Sequence, residues 1–475
     1  MNQDELHYMG LREIGEAIQS GKISSVAVTE KQFDRIDKLD GYLKSYVVLM
    51  KETALAAARR ADEEIAQGKS RGPMHGVPVA VKDLCWTADA PTAFGTTIHK
   101  AFQSKEDGTV VKRLRDAGSV ILGKVQLTEG ALTTHHPDID PPVNPWHPDH
   151  WTGVSSSGSG VAPAAGLCYG AIGTDTGGSI RYPSAACGLT GIKPTWGRVS
   201  RYGAFELAAS LDHLGPMTRS AEDAAAMLGA IAGPDEKDPT SSHAPVQDYL
   251  KEMALGVKGL RIGVDRKWNT VDLDAPTLRM MEEATEIMAK LGAEIVEVHV
   301  PDGTDVQRNW FNLCGIEAAV AHEETYPAKK DLYGPALIDL LDTGRALRAT
   351  DYQKILLQRA AYTGSFRGLM HGLDLLLTPT TPIASPTMAQ MSVTGQEYVD
   401  LWFAMMRYTA PLDMAGVPTI TLPGGFTDAG TPVGFQFVGG DFREDMIIRA
   451  AHAYQQATDW HKRRPTLEGV TTQPA

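Results

Sequence analysis

Two clusters of small residues, separated by a compact apolar segment, constrain the fold of this chain more than any other feature. The first is the Ser/Gly loop Gly153–Gly160, the apolar connector is Val161–Ile172, and the second is the turn Thr174–Ser179. Glycine has no Cβ, so such turns let backbone N–H groups approach another group closely. A serine that closes a Gly-Gly turn therefore lies beside donors suited to stabilising the oxyanion of an attacked carbonyl. One such cluster is typical of a flexible loop, but two joined compactly indicate a built site.

Helical and strand patterns alternate along the chain around this stretch. Near the N-terminus, Ser24 or Ser25 can cap a helix. Further on, Val77–Val81 reads as a buried strand, a helix follows around Val110–Ala117, and the next strand begins at Val120–Leu122. This alternation favours βαβ units and a largely parallel sheet.

The sequence predicts a single domain over residues 1–475, because no change of composition marks a boundary. Within it we distinguish a helical N-terminal entry (1–70), a core that holds the motifs (71–220), and a remainder (221–475) with further strands and pocket helices. Hydrophobic residues make up 43% of the chain and charged residues 22%, the balance of a globular protein with ample core material.

Charge and cysteine content exclude several classes of function. The net charge is −13, and no basic patch offers the Lys/Arg density that nucleic-acid binding requires. The acidic N-terminus does not fit a secretory signal, and no window approaches the 18 apolar residues of a membrane span. The four cysteines are scattered without CxxC spacing, which favours a reducing, cytoplasmic location. A homodimer is compatible with this sequence.

Lys82 is unusual because it stands at the end of the valine-rich strand Val77–Val81. Burying an ammonium group is costly unless the group loses its proton or finds a partner. The residues alone leave two hypotheses open. Lys82 is either a neutral base or one half of an ion pair with the adjacent Asp83.

Four motifs together resemble the amidase signature family. They are GVPVAVKDL at Gly76–Leu84, GVSSSGS at Gly153–Ser159, DTGGSIR at Asp175–Arg181 and CGLTGIKPT at Cys187–Thr195. The resemblance extends from about residue 70 to the end of the chain. It implies the α/β amidase-signature fold, in which helices on both faces cover a large, mixed, mostly parallel twisted β-sheet.

The first loop departs from the family pattern at two positions. Val154 and Ser157 stand where the family usually has glycine. This difference bears on the local backbone shape and on the range of substrates, and it leaves the serines in place.

The resemblance implies a Ser–cisSer–Lys triad. We expect no cofactor, and no metal because no residues have a known metal-ligand spacing. Ser179 is the expected nucleophile, Lys82 the base, and Ser155 the relay that passes the proton between them. The expected oxyanion-hole donors are four backbone N–H groups: Thr176, Gly177, Gly178 and Ser179. The expected loop-supporting residues are Asp175, Arg181 and Ser156.

The expected reaction is hydrolysis of the C–N bond of a small-molecule amide through an acyl-enzyme. Carbamates, esters and aryl-acylamides pass through the same tetrahedral geometry, so hydrolysis of urethanes stays open. The segment Gln126–Glu129 resembles the family's segment after the strand Val120–Leu122, and this resemblance implies that Ala131 lies beside the substrate. Trp402 is one of several aromatic residues that indicate an apolar or aromatic substrate.

Other hypotheses have less support. His135 and His136 are adjacent rather than at a known metal-ligand spacing. A Ser-His-Asp hydrolase would need GxSxG, which the first Ser/Gly loop lacks. Intact triad residues argue against a non-catalytic assembly subunit. The glutaminase subunit of a tRNA-dependent amidotransferase typically carries an arginine-rich run ahead of a tyrosine-rich helix, and the segment 343–352 does not match it.

Overall fold

The computed structural model describes residues 3–467, folded around one sheet of eleven strands. The strands are β1 Tyr46–Leu49, β2 Pro78–Lys82, β3 Val120–Val125, β4 Gly170–Asp175, β5 Thr190–Lys193, β6 His213–Thr218, β7 Arg261–Val264, β8 Glu294–Glu297, β9 Leu375–Pro379, β10 Thr419–Phe426 and β11 Pro432–Gly439. Their order across the sheet is β1-β3-β2-β4-β6-β5-β10-β11-β9-β7-β8.

Eighteen α-helices of the described chain cover this sheet. They are α1 Gln3–Tyr8, α2 Leu11–Gln19, α3 Ser25–Leu43, α4 Lys51–Ala66, α5 Thr109–Asp116, α6 Ser157–Ala164, α7 Arg181–Cys187, α8 Ala221–Ile231, α9 Tyr249–Glu252, α10 Ala275–Lys290, α11 Thr304–Arg308, α12 Trp310–Ala321, α13 Pro335–Ala346, α14 Ala349–Met370, α15 Met388–Met391, α16 Gly395–Met405, α17 Ala410–Ala415 and α18 Glu444–Ala457. Short 3-10 helices span Glu129–Ala131, Met253–Leu255, Trp268–Thr270, Lys330–Leu332, Met406–Tyr408 and Trp460–Lys462.

Apolar residues on both faces of the strands explain why helices cover both sides. Successive side chains of a strand point to opposite faces. In β2, Val79 and Val81 belong to one hydrophobic cluster, whereas Ala80 between them belongs to a second. The expected two-sided covering of a large mixed sheet is therefore confirmed.

The sheet is less parallel than the sequence suggested. Only β2 with β3 and β4, and β7 with β8 and β9, pair in parallel. The other six pairings are antiparallel, so the expectation of a mostly parallel sheet is wrong. The reason is that β6, β5, β10 and β11 lie between the two parallel groups. The pairing of β5 with β10 joins the strands of residues 46–218 to those of residues 261–439.

Local signals placed several elements correctly. The Ser24 side chain accepts a hydrogen bond from the Ala27 N–H at 3.0 Å and caps α3, one of the two caps predicted. The apolar connector Val161–Ile172 is not one element, because α6 ends at Ala164 and β4 begins at Gly170. This break places the two Gly/Ser clusters at the start of α6 and at the end of β4.

Candidate active site

The Lys82 side chain points away from Asp83 and into the first Ser/Gly loop. Its Nζ forms hydrogen bonds with Ser155 Oγ at 2.8 Å, Ser156 Oγ at 2.9 Å and Thr174 Oγ1 at 2.7 Å, and in the ammonium form it is the donor in all three. Asp83 pairs instead with Lys124, Nζ to Oδ1 at 3.1 Å. The hypothesis of an ion pair between Lys82 and Asp83 is therefore wrong.

Burial gives this lysine the properties of a base. Its side chain is completely buried, and the loss of hydration lowers the pKa of Lys82 from 10.5 to about 7. Negative charge at Asp212 and Asp175 acts in the opposite direction without restoring the ordinary pKa. Near neutral pH, a large fraction of the amine is thus unprotonated and carries a lone pair.

Ser156 restricts where that lone pair can point. Its hydroxyl donates to the Thr174 carbonyl oxygen at 3.1 Å, and its Oγ accepts the Thr174 N–H at the same distance. With its own proton engaged, Ser156 can only accept from Lys82. One N–H of the amine is therefore directed to Ser156, which leaves the lone pair for one of the other two hydroxyls.

Ser155 lies completely buried at the other end of this contact. The Val154–Ser155 peptide bond is cis. The Ser155 carbonyl oxygen accepts the Thr128 N–H at 3.1 Å, which ties the loop to the segment after β3. The hydroxyl is thereby held against the lysine amine.

The second turn is built on the carboxylate of Asp175. This carboxylate accepts the Gly178 N–H at 2.6 Å and the Ile180 N–H at 3.0 Å. Arg181 donates to it twice, from Nε at 3.0 Å and from a terminal nitrogen at 2.9 Å. Burial alone would raise the pKa of Asp175, but the charge and hydrogen bonds of Arg181 hold it well below the ordinary range. Asp175 and Arg181 therefore lie where loop-supporting residues were expected.

One expected oxyanion donor is already engaged. The Gly178 N–H belongs to Asp175, so it is not free for a substrate, and this part of the prediction is corrected. In the described part of the chain, the N–H groups of Thr176, Gly177 and Ser179 have no protein acceptor. Three of the four expected donors remain available.

Both glycines of the turn are required by their surroundings. A Cβ on Gly177 would lie 2.7 Å from the Trp310 ring. Gly178 has φ of 137°, and a Cβ there would lie 2.4 Å from the Tyr182 ring. Any side chain at these positions would displace the turn that presents Ser179.

Ser179 opens onto a small cavity that leads to a larger one. The small cavity, of about 20 Å³, is lined by Ser179, Ala131 and Trp402 among others. Leu132, Thr133, Val154 and Trp402 also line an adjoining cavity of about 940 Å³. Ala131 and Trp402, both expected at the substrate, thus lie in the same cavity wall as Ser179.

A layer of residues behind the turn was not anticipated. The Trp310 indole donates to the Thr176 carbonyl oxygen at 2.8 Å, and the Thr176 hydroxyl donates to Asp212 Oδ1 at 2.6 Å. Asp413 forms an ion pair with Arg181 from the opposite end of the chain. Trp310 lies in a helix of mostly apolar residues, where a tryptophan is typical of the hydrophobic core. The sequence therefore did not indicate that Trp310 holds the Thr176 carbonyl oxygen.

The two adjacent histidines line the large cavity without forming a metal site. His135 Nε2 lies 3.0 Å from Ser157 Oγ, and burial lowers the pKa of His135 to about 4. Within residues 3–467, no group of three or more His, Cys, Asp and Glu side chains could hold a metal ion.

Comparison with known proteins identifies the family. The profile of the amidase family matches residues 27–448. The chain belongs to the amidase family. The amidase candidate AmiD of Mycobacterium tuberculosis is 48% identical over 468 residues, which is 98% of each chain. One component of the glutamyl-tRNA(Gln) amidotransferase of Carboxydothermus hydrogenoformans is 35% identical, over 98% of this chain and all of the relative.

Solved structures agree with this assignment. The peptide amidase of Stenotrophomonas maltophilia superposes with a TM-score of 0.85 at 31% identity, over 97% of this amidase and 99% of that chain. This amidase is therefore an enzyme that hydrolyses the C–N bonds of amides, as the motifs implied. No helix in the described residues has the length and apolar character needed to cross a membrane.

Proposed function

We propose that this amidase cleaves its substrate with a Ser179–Ser155–Lys82 triad. The observation that carries the proposal is the 2.8 Å contact between Lys82 Nζ and Ser155 Oγ, made by a lysine whose pKa is lowered to about 7. A serine hydroxyl is a weak nucleophile unless an adjacent base removes its proton. Lys82 supplies that base, and Ser155 connects it to Ser179.

Acylation begins when the Ser179 oxygen attacks the substrate carbonyl carbon. As this bond forms, the Ser179 proton passes to Ser155, and the Ser155 proton passes to the lone pair of Lys82. The carbonyl oxygen becomes an oxyanion that accepts hydrogen bonds from the free N–H groups of the turn. Removing one such donor elsewhere costs about 2.7–4 kcal/mol of transition-state stabilisation.

Collapse of the tetrahedral intermediate breaks the C–N bond. The proton held by Lys82 returns through Ser155 to the departing nitrogen, which leaves as a neutral amine. The acyl group stays on Ser179 as an ester. A water molecule then attacks this ester, with Lys82 and Ser155 accepting its proton, and the acid is released as Ser179 regains a hydrogen.

The walls of the large cavity support an uncharged, apolar substrate. Apolar cavities with a few placed polar groups are typical of sites for small molecules. Among the described residues that line it, Arg308 and Asp339 carry full charges, and both are exposed. His135 is neutral at physiological pH because burial lowers its pKa.

This distribution of charge favours a stand-alone amidase over a glutaminase subunit. Glutamine carries an α-ammonium and an α-carboxylate, which require charged partners when buried. A carbamate is neutral and fits the same walls, so hydrolysis of urethanes is the second candidate. The four free, buried cysteines support a cytoplasmic location.

Two experiments test the proposal: a substrate panel tests the substrate class, and covalent labelling tests the nucleophile. Hydrophobic 4-nitroanilides, neutral carbamates, primary amides and glutamine are compared by kcat/KM, and a fluorophosphonate probe is mapped by mass spectrometry. We expect label on Ser179 and a preference for neutral apolar amides or carbamates over glutamine. A preference for glutamine would overturn the substrate class, and label on another serine would overturn the triad.

A further inference from the structure

Thr174 contacts the Lys82 amine directly and also through Ser156. Its Oγ1 lies 2.7 Å from Lys82 Nζ. Its main chain holds the Ser156 hydroxyl from both sides, because the N–H donates to Ser156 Oγ and the carbonyl oxygen accepts from it, each at 3.1 Å. Thr174 is 5% exposed and is fixed near the end of β4 by pairing with Leu214 of β6. One residue therefore sets two of the three hydroxyl groups around the base.

The unprotonated amine has two N–H groups and one lone pair for these three hydroxyls. Ser156 takes one N–H, because its own proton is engaged at the Thr174 carbonyl oxygen. The second N–H goes to Thr174 or to Ser155, and the lone pair accepts a proton from the other of the two. The lone pair faces the Ser155 proton, as the relay requires, only when Thr174 accepts the second N–H.

The surroundings of Thr174 favour this productive arrangement. Thr174, Thr176 and Asp212 line a cavity of about 10 Å³, close to the volume that one water molecule needs. Burial raises the pKa of Asp212 to about 6, so this carboxyl group is still mostly ionised at pH 7. Its negative charge attracts the Thr174 hydroxyl proton towards the cavity. The Thr174 oxygen then offers a lone pair to the lysine N–H.

The charged groups nearby act on the amine only from a distance. Asp175, Asp212 and Cys85 influence its pKa, and Cys85 is neutral because burial raises the pKa of its thiol to about 12. Arg201 and Glu206 line the same small cavity and act on Asp212 with opposite signs. In the described part of the chain, the side chains that hydrogen-bond to the amine are the three hydroxyls alone. These hydroxyls therefore set the direction of the lone pair.

We propose that Thr174 is a positioning residue for the reaction: its hydroxyl accepts the second N–H of the neutral Lys82 amine and so turns the lone pair towards Ser155. This inference rests on the proposed Ser179–Ser155–Lys82 triad and adds the residue that gives the base its direction. When the Ser155 proton moves to Nζ, the resulting ammonium donates to all three hydroxyls. Thr174 thus stabilises both forms of the base and acts through Lys82 alone.

Thr174→Val tests the proposal, because valine keeps the shape of threonine and removes the hydroxyl. The two N–H groups of the neutral amine then have only Ser155 and Ser156 as acceptors, so the lone pair no longer faces the Ser155 proton. We expect kcat/KM for a 4-nitroanilide at its alkaline plateau to fall at least about tenfold. The inflection of the pH profile should move about half a pH unit or more to lower pH, since the ammonium loses a hydrogen-bond acceptor.

Two further variants separate this role from packing. Thr174→Ser keeps the hydroxyl and should recover at least about a third of the wild-type kcat/KM. The matched control is Thr421→Val on β10, which removes a completely buried hydroxyl that has no partner in the described chain. It should keep the inflection within about half a pH unit of the wild type.

Three results would overturn the proposal. The first is a Thr174→Val enzyme with the wild-type plateau and inflection, and the second is a higher plateau, which would mean that Thr174 competes with Ser155 for the lone pair. The third is an equal loss in Thr174→Val and Thr174→Ser without a shift of the inflection, as expected if the side chain only packs. If Thr174→Val does not fold, Thr174→Ala replaces it and is compared with Thr174→Ser by the same two measurements.

Failure of the proposed triad would look different. In that case the fluorophosphonate probe labels a serine other than Ser179, or Lys82→Arg stays active, whatever Thr174→Val does. If only the inference about Thr174 fails, Ser179 is labelled and Lys82→Arg is inactive, but Thr174→Val keeps the wild-type pH profile.

Discussion

Replacing Lys82 with arginine tests whether the proton-accepting state of this residue is what the enzyme needs. Burial lowers the pKa of Lys82 from 10.5 to about 7, which corresponds to roughly 5 kcal/mol. The same displacement applied to a guanidinium, which starts at about 12.5 or higher, leaves about 1% or less unprotonated at pH 7. We therefore expect Lys82→Arg to lower kcat/KM at least about a hundredfold, within the range of general-base catalysis.

The pH dependence of kcat/KM in the wild-type enzyme should follow the ionisation of the Lys82 amine. Only the neutral amine accepts a proton, so kcat/KM should rise about tenfold per pH unit below pH 7 and level off above it. The assay follows a 4-nitroanilide between pH 5 and 9, with the folded state checked by circular dichroism at each pH. The kcat/KM profile reports the free enzyme, as the structure describes it.

Asp83→Asn is the matched control, because Asp83 pairs with Lys124 and not with Lys82. This variant should leave the inflection of the profile within about half a pH unit of the wild type. The reasoning is refuted by a flat wild-type profile from pH 5 to 9, or by a Lys82→Arg enzyme that keeps more than about a tenth of the activity.

Three further outcomes are expected. Ser179→Ala should abolish turnover and fluorophosphonate labelling with a melting temperature within about 3 °C of wild type; residual turnover above background would contradict this. Gly178→Ala should lower folded yield and activity, because its Cβ would lie 2.4 Å from the Tyr182 ring, and normal yield and rate would count against the tight turn. Lys82→Met should raise the free energy of unfolding at pH 7 by up to about 5 kcal/mol. Since the unfolded lysine binds its proton up to pH 10.5, this gain should shrink as pH rises from 7 towards 10.5, and urea unfolding at pH 7 and 9.5 would expose a constant difference.

Local patterns were sufficient for many individual elements. The cap at Ser24, the strand ending at Lys82 and the helix Thr109–Asp116 follow from side-chain periodicity and capping residues. Strand direction did not follow, because the pairing of β5 with β6 and β10 depends on contacts between residues far apart in the chain. A local alternation of helices and strands therefore overestimated the parallel part of the sheet.

In the candidate site, too, the sequence predicted the residues that stand in motifs but not those brought together by long-range contacts. Ser155, Ser179 and Lys82 stand in motifs that the sequence displays, and the unusual burial of Lys82 was expected from its strand. The residues behind them were not predictable, because Asp212 and Trp310 meet the Thr176 segment only through the fold. An aspartate in a loop and a tryptophan in an apolar helix have ordinary structural explanations when read alone.

The pairing of β5 with β10 divides the chain into two parts that contribute different residues to the site. The proposed catalytic residues Lys82, Ser155 and Ser179 all come before β10 in the sequence. The later segment 308–402 supplies more than half of the residues that line the large cavity. A recombinant that takes residues 304–406 from a relative would therefore replace this part of the wall, together with Trp310 behind the turn, and would keep Lys82, Ser155 and Ser179.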